Sequence, residues 1–240
     1  GDDVLTVTAS ALGTGGSIDA GEGTDTLTMT ATLATAADAS TVFAGTISNF
    51  ERLSVTGMTA ETINLANLDA INYVTVAGTV ANAAAIGNAL TGITVNTSAN
   101  TTALGVVLTT PAGLADSITF ATESTTTGVV HTALTLDGFE TINFTTDDSA
   151  NKTVATTATT GVEHAITTLN AANAKTITVA GDAGLTIGTF TATTVTSFDA
   201  SGVTAPTSGT SDVSYTTGAL AAASAITGGA GNDTLNAAAA

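Results

Sequence analysis

The chain has 240 residues, enough for one large or two small buried cores, and 43% of it is hydrophobic, which excludes a disordered polymer. Twenty acidic residues against Arg52, Lys152 and Lys175 give a net charge of −17, which excludes nucleic acid or anionic lipid as a partner. There is no cysteine, so no disulfide frame holds the fold, and bound cations are an available way to relieve acidic self-repulsion.

The apolar residues are mostly Ala and Val, with seven Phe, two Tyr and no Trp. Small side chains fill thin cores, and Thr alternating with Val, Ile or Leu favours strands. Gly1-Asp2-Asp3 reads as the middle of a motif, so the sequence is expected to be an excised piece. No basic-then-apolar leader opens it, and no stretch approaches the ~18 apolar residues of a membrane span.

Alternating segments follow in chain order: Leu5-Thr-Val, Thr26 to Met29, Leu53-Ser-Val, Ile63-Asn-Leu, Val74-Thr-Val and Ile93-Thr-Val. They continue as Ile118-Thr-Phe, Leu134-Thr-Leu, Ile142-Asn-Phe, Ile177-Thr-Val and Leu185-Thr-Ile, separated by Gly, Asn, Asp and Ser. Residues 31–40 and 81–90 are the two candidate short helices, and no long 3.6-residue pattern exists. Thr26-Leu-Thr-Met-Thr30 and Thr189-Phe-Thr-Ala-Thr193 hint at a water-ordering ladder, but ordinary strand threonine explains them better.

A corner-plus-strand unit recurs. Ile47-Ser-Asn-Phe-Glu-Arg-Leu-Ser-Val-Thr56 aligns without gaps on Leu136-Asp-Gly-Phe-Glu-Thr-Ile-Asn-Phe-Thr145, and Leu68-Asp-Ala-Ile-Asn-Tyr-Val-Thr-Val-Ala77 is a looser copy. Such units build a solenoid, each coil burying its apolar face on the next. The fold expected is all-β: an irregular parallel β-solenoid or β-roll with glycine-aspartate loops at both ends. A β-sandwich is the alternative, with Asp137-Gly138 as a hairpin turn. Glu51 and Glu140 hold the same place in the repeat and are expected to satisfy backbone N–H groups at a corner.

The most specific motif is Gly228-Gly-Ala-Gly-Asn-Asp-Thr-Leu-Asn236, which fits the nonapeptide G-G-x-G-x-D-x-U-x at every defined position. Its glycines let the backbone curl so that carbonyl oxygens point inward, Asp233 adds a charged oxygen, and Leu235 plugs the core. Calcium, a hard cation, takes six to eight such oxygens. Ala20-Gly-Glu-Gly-Thr-Asp-Thr-Leu-Thr28 is a weaker copy, and Gly1-Asp-Asp-Val-Leu5 matches the motif's last half. The candidate metal ligands are therefore Asp2, Asp3, Asp19, Gly21, Gly23 and Asp25 at one end. At the other they are Gly228, Gly229, Gly231, Asn232 and Asp233. Asp147, Asp148, Asp182, Asp199 and Asp212 lie near turns and read as Asx-turns or solvated charges.

Catalytic patterns are missing. His131 and His164 sit in no metal-protease motif, and Glu163 and His164, being adjacent, point to opposite faces of a strand. No G-x-S-x-G and no phosphate loop is present. The chain is expected not to be an enzyme.

On the nonapeptide the chain resembles the RTX (repeats-in-toxin) proteins exported by type I secretion. Residues 1–28, 174–185, 195–203 and the corner Phe139-Glu-Thr-Ile resemble the calcium-loaded crystalline surface-layer proteins among them, while residues 60–133 share little beyond composition. The resemblance implies an extracellular bacterial surface module stacked with calcium, whose partners are copies of itself in a lattice or neighbouring domains of the same chain, with no membrane insertion. It also implies three parts: degenerate calcium turns over 1–28, a Thr/Ala-rich solenoid body over 29–225, and a nonapeptide repeat opening a further β-roll over 226–240. An RTX adhesin segment binding a glycan or a cell-surface partner is the alternative.

Overall fold

In the computed structural model the chain winds into an all-β parallel solenoid of about eight turns. The structure describes every residue except 11, 111–112, 114, 125–126, 149–161, 191, 205–210, 220–222 and 239–240. The first part holds β1 (Val4–Thr6), β2 (Ile18–Asp19), β3 (Thr26–Thr30), helix α1 (Ala31–Asp38), helix α2 (Thr41–Ala44) and β4 (Ile47–Ser48). Paired strands then begin, with β5 (Arg52–Thr56), β6 (Thr62–Asn64), β7 (Tyr73–Ala77), β8 (Val80–Ala89), β9 (Ile93–Thr97) and β10 (Thr101–Leu108). The middle coils are β11 (Ser117–Ser124), β12 (Val130–Thr135), β13 (Thr141–Asp148) and β14 (Glu163–Asn170). The last are β15 (Thr176–Gly181), β16 (Gly184–Phe190), β17 (Ser197–Val203), β18 (Val213–Ala219), β19 (Ala225–Thr227) and β20 (Thr234–Ala238).

Odd-numbered strands form one ten-stranded sheet, the front; the even-numbered strands β6 to β20 form an eight-stranded back sheet; β2 and β4 pair separately. Every pairing described is parallel, so the β-sandwich alternative falls and Asp137-Gly138 is no hairpin turn. Gly138 instead takes φ +95° at a solenoid corner. Residues 226–236 extend the same two sheets.

In-register stacking sorts the side chains. Leu27, Leu53, Val74, Val95, Phe120, Phe144 and Val179 form one inward column through seven coils, each buried. Full burial of such a side chain contributes roughly 1.5–3 kcal/mol, so the column is a large share of the driving force. The outward neighbours are Thr26, Arg52, Tyr73, Thr94, Thr119, Asn143 and Thr178. Within that row the Thr178 hydroxyl donates to Asn143 Oδ1 at 2.7 Å, and the Arg52 guanidinium lies 4.5 Å over the Tyr73 ring.

Two expectations about local structure divide. Residues 31–40 do hold a helix: α1 starts at Thr30, whose hydroxyl caps Leu33 N. Asp38 Oδ2 accepts Asn64 N at 2.6 Å, tying α1 to β6, the first strand of the back sheet, so the helix covers that sheet's edge. Burial raises the Asp38 carboxyl above its usual range, against the opposing Asn64 bond. Residues 81–90, by contrast, are no helix; they belong to β8, paired with β10 and β6. Sheet contacts overrode alanine's helix propensity.

The repeated corner also differs from its sequence alignment. Phe50, Ile71 and Phe139 are each buried as expected. Leu53, however, continues through Val74, Val95 and Phe120 to Phe144, whereas its sequence counterpart Ile142 stacks on Ile118 and Ile93. The copies are offset by two residues because strands of five residues (β5, β7) give way to strands of eight (β11, β13).

Close approach of coils fixes some glycines. At Gly181, φ is +138° and an added Cβ would overlap the Thr146 carbonyl. Gly181→Ala should therefore lower stability by at least about 2 kcal/mol, read from urea unfolding, while a Thr56→Ala change at an exposed position stays within about 0.5 kcal/mol. Tyr215, stacked on Phe198 at 4.0 Å, has a buried hydroxyl with no partner. Burial pushes its pKa up to about 12. Tyr215→Phe should be neutral or stabilising by up to about 1 kcal/mol in the same assay.

Candidate metal-binding turns

The turns singled out in the sequence share one geometry. Pairing of Val4 with Thr26 sets Asp3 beside Asp25. Asp3 N donates to Asp25 Oδ1 at 2.6 Å, and Thr24 N donates to Asp2 Oδ1 at 2.9 Å. Each coil thus lends a carboxylate to an N–H of the other. The same clasp recurs at the far end, where Val213 N donates to Asp233 Oδ1 at 2.9 Å and Asn232 N to Asp212 Oδ1 at 2.6 Å. The first clasp leads into the front sheet and the second into the back sheet.

Glycines occupy positions where a side chain does not fit. A Cβ on Gly23, at φ +148°, would strike the Gly1 carbonyl; on Gly228 it would strike Asp233 Oδ2; on Gly231 it would meet Ser211 backbone and Asp212 Oδ1. Gly21 is held at φ +88°. Gly229 N donates to Asp233 Oδ2 at 2.6 Å, so both oxygens of Asp233 are engaged by backbone. Asp19 lies apart from the clasp, since its Oδ1 accepts from Gly21 N at 3.0 Å and from the Asn49 amide at 2.6 Å.

Asp25 differs from Asp233. It has no exposed surface, and its Oδ2 has no hydrogen-bond partner. The coil below covers it: Asp25 N donates to Glu51 Oε2 at 2.9 Å, and the Asp25 carbonyl accepts from Glu51 N and Arg52 N. A buried carboxylate oxygen without a partner is costly, and a hard divalent cation is the kind of group that offsets that cost. Asp2, Asp3, Val4, Thr24, Thr26 and Arg52 line an open pocket beside it. Among the described residues no three or more His, Asp or Glu side chains converge, so an ion here would draw on backbone carbonyls as well. The N-terminal turn fits calcium on this test, whereas the Asp233 loop, the better match in sequence, has its carboxylate already occupied by N–H groups.

Glu51 and Glu140 do the structural work expected of them. Glu140 Oε2 accepts Asp116 N at 3.0 Å, matching Glu51 with Asp25. Asp199 forms an Asx-turn with Ser201 N at 2.9 Å. Asp182 accepts Asp148 N at 2.6 Å. Asp212, read from sequence as a turn residue, is instead the upstream half of a clasp. The signal was its place twenty-one positions before Asp233, near the twenty-three between Asp2 and Asp25.

Neither histidine lies at these turns. His131 is fully buried between the Thr101 hydroxyl, 2.9 Å from Nδ1, and the Thr122 hydroxyl, 3.1 Å from Nε2, with Phe120 edge-on. His164 is also buried on β14, while Glu163 is exposed, as the alternation required. Its Nδ1 accepts Val129 N at 3.0 Å, so the proton sits on Nε2, facing the Asp147 carbonyl at 3.3 Å. No protein-family model and no curated protein matches the chain.

Burial, and secondarily the neighbouring His164, lowers the His131 pKa from 6.5 to about 4; burial lowers that of His164 too, with Asp147 and Asp148 opposing. The unfolded chain then takes up a proton near pH 6.5 that the folded chain refuses until about pH 4. Stability should fall as pH drops through this window, by roughly 3 kcal/mol for His131. Urea midpoints at pH 7 and pH 4.5 test this: the decline should be shallower in His131→Gln, and an equal decline in both proteins would remove His131 as its source.

Proposed function

We propose that the chain is a non-catalytic structural module of a secreted bacterial surface layer, folded and assembled with calcium on the outside of the cell. The observation that carries this reading is the buried, unpartnered Oδ2 of Asp25 inside a clasp that recurs at Asp212 and Asp233. Asp2, Asp3, Asp25 and the carbonyls around Gly21 and Gly23 would hold one ion.

Calcium, when bound, supplies positive charge and coordination for the oxygens around Asp25, where Arg52 is the one cationic side chain lining the pocket. The chain's own residues do the rest. Asp2 and Asp25 fix adjoining coils, the glycines allow the close approach, and Glu51 holds the next coil beneath. With a charge of −17, neutralising carboxylates also eases packing between copies. Among the described residues no helix is long and apolar enough to cross a membrane.

Binding that favours the folded state stabilises it by about 2.7 kcal/mol at 100 times the dissociation constant, and extracellular calcium modules bind in the range of about 10⁻⁴–10⁻³ M. Calcium should therefore raise the melting temperature over that range, and Asp25→Asn should abolish most of the rise. In chelator the ranking should reverse, the variant matching or exceeding the parent because a buried charge has gone. Equal melting with calcium and with chelator for the parent chain would sink the reading. Electron microscopy after calcium addition checks assembly: ordered arrays support the surface-layer role, and glycan-binding monomers would assign the chain to an adhesin.

A further inference from the structure

Charge is distributed unevenly over the two sheets. Front strands carry Arg52, Glu123, Asp147, Asp148 and Asp199. The eight back strands carry one ionised side chain, Glu163, at the start of β14 and bonded to the Thr186 hydroxyl at 2.7 Å. In a chain of twenty acids such a sheet is conspicuous. Its outward rows are small and apolar where β8, β10 and β12 meet: Ala83 pairs with Ala103 and Ala103 with Ala133, and Ala85 pairs with Gly105. Among the described residues, three of the five exposed large hydrophobics border these rows. Leu90 and Val107 are half-exposed at one end, and Val130 is 38% exposed at the other.

We infer that this back face is a self-association surface, on which the same face of a second copy of the chain docks. The argument is electrostatic and geometric. Two copies each carrying −17 repel wherever their acidic corners approach, and the cost is least where neither presents charge. A two-fold contact needs a patch complementary to itself, which a sheet whose one acidic side chain, Glu163, lies at a strand end provides. The Ala and Gly rows let the opposing backbone come close, and the larger Val107, Leu90 and Val130 at the rim seat against the partner's small rows. A partner recognised by its own charge would be drawn to the acidic corners, away from this face. Five strands, β8 to β16, spaced about 4.8 Å apart and spanning some eight residues, make a face of about 600 Å² per copy. The resulting buried total of about 1,200 Å² lies at the lower end for specific contacts, which suits a reversible association.

The contact goes beyond the calcium reading, because it uses no carboxylate. Sedimentation of the full chain in calcium should show concentration-dependent dimers, strengthened by added salt as repulsion is screened. Ala103→Glu with Ala133→Glu should weaken dimerisation at least tenfold while circular dichroism stays unchanged. Val107→Glu, at a position already open to solvent, gives the same readout should the double variant misfold. Thr94→Glu with Thr119→Glu on the front sheet should leave dimerisation as in the parent. A monomeric parent at all concentrations, back-face variants that dimerise normally, or front-face variants that abolish the dimer would each overturn the proposal. Dimers without any calcium effect on melting would instead overturn only the proposed function.

Discussion

The parallel, in-register ladder between successive coils is the constraint on which the rest depends. A coil of this solenoid has no core of its own; its inward residues are buried only by the coil above and the coil below. The corners must therefore repeat as faithfully as the strands. One device recurs there: a single carbonyl accepts two consecutive N–H groups of the next coil. Asp25 does this for Glu51 and Arg52, Glu51 for Asn72 and Tyr73, Asp116 for Glu140 and Thr141, Glu140 for Lys175 and Thr176. At Asp25, Glu51 and Glu140 the carboxylate also reaches back to an N–H of the preceding coil, so backbone and side chain bind in opposite directions.

That arrangement accounts for the partition of charge. Outward residues on a parallel sheet stack on their equivalents about 4.8 Å apart. Carboxylates in such a row would face like charges at every step, a repulsion on the order of a kcal/mol per neighbour even in water. Threonine, serine, asparagine and alanine avoid it, which is why a chain with twenty acids keeps its flat faces nearly free of them. At several corners an N–H of the adjoining coil offsets a carboxylate, as Asp3 N does for Asp25 and Asp148 N for Asp182. Acidity and solenoid geometry are thus compatible because most of the acids lie outside the two sheets, whose strands carry only Glu123, Asp147, Asp148, Glu163 and Asp199.

The fold was legible wherever alternation used β-branched residues. All eleven alternating segments, from Leu5 to Ile187, overlap strands. Residues 81–90 were not legible, because Ala-Asn-Ala-Ala-Ala carries no β-branched side chain and pairing with the coils on either side makes it extended. The offset between the two corner copies was hidden too, since strand length changes between coils that look alike in sequence. At the candidate site the nonapeptide pattern located Asp25 and Asp233 but not Asp212 or Asp2's reciprocal bond, because a clasp joins residues one coil apart. Burial separated two aspartates that the motif treats as equivalent.

That separation has a simple physical origin. Asp25 and Asp233 hold the same clasp, yet Asp25 has no exposed surface and one unpartnered oxygen, while Asp233 is partly exposed with both oxygens bonded. The difference lies in the glycine before the aspartate and in the coil beneath it. Gly229 N reaches Asp233 Oδ2, whereas the weaker N-terminal copy uses its loop differently, with Gly21 N turned to Asp19. The β5 coil then closes over Asp25 through Glu51. A degenerate repeat lodged under a further coil consequently has a greater electrostatic need for a cation than a better-matching repeat whose own backbone satisfies it. Agreement with a consensus measures how the loop turns; burial decides which carboxylate oxygens are left without a partner.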